Sequence, residues 1–135
     1  MTEKSRILVV DDTPLNIRVL VENLRDEYAV IAANSGAKAL ELCAREAKPD
    51  LVLLDIMMPE LDGFQVASEL TAKLGTAAPK ILVITGRNLL EEDVALLLAG
   101  VAGAMHKPIK MDQLETEVSR ILALGPGEMP LAGLE

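Results

Sequence analysis

Short runs of consecutive apolar residues alternate along this chain with longer stretches in which apolar positions recur every three or four residues. Ile7-Leu8-Val9-Val10, Leu51-Val52-Leu53-Leu54 and Ile81-Leu82-Val83-Ile84 are of the first kind. Such runs suit strands buried on both faces of a parallel sheet. Tyr28 to Ala33 and Ala102 to His106 read as two further, weaker strands. Between the first two strands, Leu15, Val19, Leu20 and Leu24 predict a helix to about Arg25, with Thr13 as N-cap and Pro14 at the first helical position. Asn34-Ser35-Gly36 reads as a turn, and Ala37 to Ala47 as an amphipathic second helix stopped by Pro49-Asp50. Phe64, Ala67, Leu70 and Leu74 mark a third helix closed by Gly75, and Asn88 to Ala99 a fourth ended by Gly100. Met111 to Leu124 carries Leu114, Val118 and Ile121 on one face of a fifth.

Strands alternating with helices in this way predict an α/β fold, (βα)5, with a doubly wound five-stranded parallel sheet and right-handed crossovers. Gly125-Pro126-Gly127 ends the pattern, so residues 5–124 are expected to form the domain and 125–135 a tail or linker stub.

Composition narrows the function. The chain has 135 residues, enough for one well-buried core and too few for two. Aromatic content is 1%, with only Tyr28 and Phe64, so the core must be Leu, Ile, Val, Ala and Met. A formal charge of −8 argues against a nucleic-acid surface. A single cysteine, Cys43, excludes a disulfide framework and suits a reducing compartment; beside Leu40 and Ala47 it reads as a buried apolar residue. No run of 18 apolar residues and no signal-peptide pattern occurs, so a cytoplasmic chain without membrane contact is expected.

The chemistry collects at the strand ends. Asp11-Asp12, Asp55 and Thr85 each follow an apolar strand, and Lys107 follows the fifth. Parallel strands place all of these on one sheet edge, where open α/β sheets bind ligands. Singly, an acid after a strand is most often a solvated turn residue, and Asp11-Asp12 before Thr13-Pro14 would also suit a helix N-terminus. Together, three carboxylates would repel one another unless a cation neutralised them. Oxygen-only ligands select a hard ion, and Mg²⁺ uses one or two carboxylates while keeping waters for a phosphate. Lys107 supplies positive charge and Thr85 a hydroxyl donor. The arrangement predicts a Mg²⁺ site at which a carboxylate nucleophile accepts a phosphoryl group.

Those residues, in Leu8-Val9-Val10-Asp11-Asp12, Leu54-Asp55-Ile56-Met57-Met58-Pro59, Asp62-Gly63-Phe64, Ile84-Thr85-Gly86 and Lys107-Pro108-Ile109, resemble the receiver domain of bacterial two-component response regulators over about residues 5–124. The resemblance implies a flavodoxin-like fold with strand order 2-1-3-4-5. It makes Asp55 the phospho-acceptor, with a histidine kinase or histidine phosphotransfer protein as donor. It implies that Asp12, Asp55 and the backbone oxygen of Met57 bind Mg²⁺ directly, and Asp11 partly through water. Thr85 would swing toward the phosphoryl group and Lys107 would pair with it. The implied role is a regulatory switch, not an enzyme, contributing to its own Mg²⁺-dependent phosphorylation and dephosphorylation. Its output would be a change in partner or self association through the face of the fourth helix, fifth strand and fifth helix.

Three positions depart from the family pattern. Receivers usually carry Tyr or Phe three residues before the lysine, where this chain has Ala104; His106 shares its face by strand alternation. Val94, Leu96, Leu97 and Leu98 make the fourth helix apolar beyond a core stripe, which predicts a partner or second copy there. Met57 and Arg87 each lie two residues after a site residue, and a bulky apolar group and a cation there predict a long-lived phosphoaspartate. Ala104 also supports an alternative, a receiver used as a phosphorylation-independent interaction module. An aspartyl-phosphate phosphatase would need an Asp-x-Asp nucleophile pattern after strand 1, which Asp11-Asp12-Thr13 lacks. A flavin-binding protein of this fold would need a phosphate loop where Asp11-Asp12 would repel phosphate.

Overall fold

The structure, a computed structural model, describes residues 4–44, 49–55, 69, 79–85, 102–106 and 109–123. Five strands lie within them: β1 (Arg6–Val10), β2 (Ala29–Ala33), β3 (Leu51–Asp55), β4 (Lys80–Thr85) and β5 (Gly103–His106). Three helices are described: α1 (Pro14–Leu24), α2 (Gly36–Cys43) and α3 (Met111–Leu122), the last being the fifth helix predicted from the sequence. The third and fourth predicted helices fall outside the described residues.

The strands form one parallel sheet in the order β2-β1-β3-β4-β5, as the resemblance implies. Parallel neighbours need crossovers, and the two-sided burial of β1 and β3 follows from helices packed on both faces. Two apolar layers result. On one face Ile7, Val9, Leu53 and Leu82 pack with Leu20 and Leu24 of α1 and Leu114, Val118 and Ile121 of α3. On the other, Leu8, Val10, Val52 and Val83 pack with Ala39 and Cys43 of α2. Each fully buried Leu, Ile or Val contributes about 1.5–3 kcal/mol relative to exposure, so the central strands fix the frame on which the sheet edge sits. Asp50 fastens the opposite edge: its carboxylate accepts from the Arg6 amide at 2.8 Å, and its backbone bonds Arg6 and Lys80.

Local details differ from the sequence reading. Thr13 holds the N-cap position of α1, yet its side chain makes no cap bond. Its hydroxyl donates to Asp12 Oδ1 at 3.3 Å, and Pro14, lacking an N–H, removes one of the donors a cap would serve. Leu15 and Val19 were expected in the helix's apolar repeat but are 68% and 40% exposed; the inward stripe is Ile17, Leu20 and Leu24. Gly36 begins α2 instead of ending a turn, because Ser35 caps it by accepting from the Lys38 amide at 3.2 Å. The α3 helix stops at Leu122, two residues early, with Ala123 as C-cap.

Candidate functional site

Register brings the acids together. Val10 is paired with Leu54, so Asp11 and Asp55 are the next residues along two adjacent strands. Asp55 still belongs to β3, opposite Ile84, while the Asp11 amide extends the ladder to Ala33 O at 3.2 Å. Asp12 follows at the turn into α1. One carboxylate oxygen from each of Asp11, Asp12 and Asp55 lies within 4.8 Å of the others. Asp11 and Asp55 are 3% and 5% exposed, whereas Asp12 faces solvent. Two buried carboxylates so close repel by roughly 3 kcal/mol at an effective dielectric constant near 20. A cation bound at this carboxyl edge would relieve that repulsion.

The acids are held in place by short local bonds. Asp11 Oδ1 accepts from the Thr13 amide at 2.9 Å, and its Oδ2 accepts from the Asn16 side-chain amide at 3.3 Å. Among the described residues no buried side-chain nitrogen or oxygen lacks a hydrogen-bond partner. All three cluster residues offer hard oxygen donors, with no sulfur or imidazole among them, a donor set that fits Mg²⁺ or another hard divalent ion and disfavours a soft one. Beside the cluster lies a cavity of about 300 Å³, with Leu15, Ile84, Ile109 and Met111 among its walls and Asp11 and Asn16 at its polar end.

Of the other residues singled out by sequence, Thr85 ends β4, where it pairs with His106 of β5. Ala104 pairs with Val83 and is half-buried against the α2-side core. Met57, Arg87 and Lys107 lie outside the described residues. The sequence reading missed Asn16. An amide one turn into a helix, just past an acidic strand end, was the available signal.

The sequence pattern of response regulator receiver domains matches residues 7–119. The chain belongs to the response regulator receiver domain family. It is similar to the response regulator MprA of Mycobacterium leprae, 40% identical over 122 residues, covering 87% of this chain and 50% of MprA. It thus spans about half the length of that relative. It is also similar to protein PilH of Pseudomonas aeruginosa, 33% identical, covering 88% of this chain and 98% of PilH. Among solved structures, the response regulator protein TrrA of Thermotoga maritima, in complex with Mg(2+)-BeF, matches with a TM-score of 0.77 and 33% identity over 87% of this chain and 98% of TrrA. Receiver domains are regulatory modules whose usual partners are histidine kinases or phosphotransfer proteins. No described helix of this receiver is long and apolar enough to cross a membrane.

Proposed function

We propose that this receiver domain takes a phosphoryl group onto Asp55 from a histidine kinase or histidine phosphotransfer protein. The observation that carries this reading is the convergence of the Asp11, Asp12 and Asp55 carboxylates at the ends of β1 and β3. A carboxylate oxygen of Asp55 attacks the phosphorus of the donor phosphohistidine. A P–O bond forms as the P–N bond breaks, and the leaving imidazole takes its proton from solvent. Asp12, Asp55 and the Met57 backbone oxygen would hold Mg²⁺, with Asp11 acting partly through water. When bound, the ion supplies positive charge that neutralises the acids and the phosphoryl oxygens. The likeness to TrrA, crystallised with Mg(2+)-BeF, supports the same use of the site here. Thr85 donates its hydroxyl to the transferred group and Lys107 pairs with it. Met57 and Arg87 hinder the attacking water and lengthen the life of the phosphoaspartate. Residues 5–124 form the functional unit, and its output face is the fourth helix with β5 and α3, where a downstream protein or a second copy docks.

Ala104 favours a second reading. The family's usual aromatic ring would occupy this β5 position, and an Ala packed against the core beside Val83 offers no ring to report the state of Thr85. A phosphorylation-independent interaction module is consistent with that loss. Intact mass after incubation with Mg²⁺ and acetyl phosphate separates the two. A Mg²⁺-dependent gain of one phosphoryl group, absent in Asp55→Asn, is the expected result. No adduct on a folded, Mg²⁺-binding protein would overturn phosphorylation and leave the interaction module.

A further inference from the structure

The β2 strand (Ala29–Ala33) is the outermost of the sheet on one side, and among the described residues it pairs with β1 alone, in a continuous register with no bulge. Two bonds fix the direction of its backbone groups. The Ala29 amide donates to Ser5 O at 2.9 Å, and Ala33 O accepts from the Asp11 amide at 3.2 Å. Residues 29, 31 and 33 therefore turn their N–H and C=O groups toward β1, and strand alternation turns those of Val30 and Ala32 outward. Natural sheet edges are commonly blunted by lysine, proline or a bulge. This edge has none of these: Tyr28-Ala29-Val30-Ile31-Ala32-Ala33-Asn34 contains no charge and no proline. Ile31 stands at the middle of the strand and is 41% exposed, although Leu8, its neighbour on β1, is fully buried. On that face the core cluster that holds Ala39 and Cys43 of α2 takes in Ala33 and leaves Ile31 outside.

We infer that β2 is a self-association edge, to which a second copy of this chain adds its own β2 antiparallel across a two-fold axis at Ile31. Only antiparallel pairing lets both copies use the same strand edge. With the axis at Ile31, Val30 of each copy lies opposite Ala32 of the other. Both residues carry outward backbone groups, so each such pair exchanges N–H···O=C bonds in both directions. Ile31 then faces Ile31 at a non-hydrogen-bonded position, where side chains approach most closely, and the exposed residue becomes covered. The same register sets Glu27 opposite Ser35, so no acid meets an acid. The edge offers a charged partner nothing to pair with, whereas its own sequence complements it residue by residue. One short strand pair buries far less than the roughly 800 Å² per partner of a standard interface, so the association is weak and reversible. The opposite edge of the sheet is β5, so this surface is separate from the output face described above.

The test is analytical ultracentrifugation of the full chain from about 20 µM to about 1 mM, in about 0.5 M NaCl to screen the net charge of −8. Wild type, Ile31→Lys and Ala32→Pro are compared. Both positions are exposed, and Ala32 donates no bond to β1, so a proline there suits an edge strand and both variants should keep the wild-type circular dichroism spectrum. Wild type is expected to dimerise with concentration. Ile31→Lys opposes two like charges across the axis, and Ala32→Pro removes the outward N–H from each copy; each should weaken the dimer at least about tenfold. Amide exchange followed by NMR supplies the second reading: the Val30 and Ala32 amides should gain protection as concentration rises, while the Ile31 amide, turned toward β1, is protected throughout. A wild type that stays monomeric to 1 mM overturns the inference and leaves the edge to an extended segment of another protein. A dimer retained by Ala32→Pro, or one that leaves Val30 and Ala32 exchanging at the monomer rate, overturns strand pairing and moves self-association to another face.

Discussion

Cys43 shows how a single buried position sets chemistry by exclusion. It is fully buried in the α2-side core beside Ala39 and Val52, and burial pushes its thiol up from 9.0 to about 11. The thiolate is the reactive species, so at neutral pH the folded protein keeps this group inert. The same shift links stability to pH. Between about pH 9 and 11 the unfolded chain has lost the thiol proton while the folded one retains it, so the unfolded state binds fewer protons and stability falls as pH rises. Below pH 9 both states are protonated and the group adds no slope. Urea unfolding of wild type and Cys43→Ala should therefore give curves that run parallel from pH 6 to 8. Above pH 9 the wild type should fall more steeply, by at most about 1.4 kcal/mol per pH unit. Parallel curves up to pH 11 would show that the thiol titrates normally in the folded protein.

Among the elements, the inner strands were the most legible in the sequence and the outer ones the least. The β1 and β3 strands are uninterrupted apolar runs because both faces are covered, and β3 ends at the Asp55 that the pattern marked. The outer strand β2 is mostly exposed, so its composition carries less signal and its start moved by one residue to Ala29. Helix ends were blurred for a related reason: they turn on single hydrogen bonds such as the Ser35 cap, which periodicity does not register. The site followed the same division. Its acids announce themselves at strand ends, but the Asn16 bond arises only when α1 folds back over Asp11. At the other outer strand, Gly103 of β5 lies under α3, and a Cβ there would meet Arg120 Nη2 and Leu82 Cδ1 at 3.4 Å and Glu117 Oε2 at 3.7 Å. Those are ordinary contacts. Arg120 and Glu117 form a half-exposed ion pair at 2.6 Å that can absorb a methyl group. Gly103→Ala should then stabilise the fold by about 0.5–1 kcal/mol, through the entropy glycine loses on folding. The check is a higher urea midpoint with an unchanged slope. A lower midpoint would mean that α3 packs too closely on β5 to accept a side chain.

Across the whole molecule, charge sets the conflict that the ion would resolve. The chain carries a formal −8, and three of its carboxylates meet at one edge of the sheet. The apolar layers on either face of the sheet hold the fold together against that edge. Removing one acid should therefore help the metal-free fold and harm the metal-bound one. Asp12 is the position at which to make the change, because it is exposed and Asn retains the oxygen that accepts from the Thr13 hydroxyl. In chelator, Asp12→Asn should melt above wild type by about 3–5 °C, corresponding to roughly 1 kcal/mol of relieved repulsion. In 10 mM Mg²⁺ the order should close or reverse, since a ligand stabilises only the state that binds it, by RT ln(1 + [L]/Kd), and the variant lacks one of the oxygens proposed to hold the ion. Differential scanning calorimetry in the two buffers reads both effects. An Asp12→Asn protein that melts below wild type in chelator would show that the acid edge is not a strain on the fold. A variant that gains as much from Mg²⁺ as wild type would remove Asp12 from the ion's coordination and leave Asp11 and Asp55 to hold it. The opposite responses in the two buffers follow from one physical fact: the sheet brings three carboxylates together at one edge, so a bound cation is what lets stability and binding point the same way.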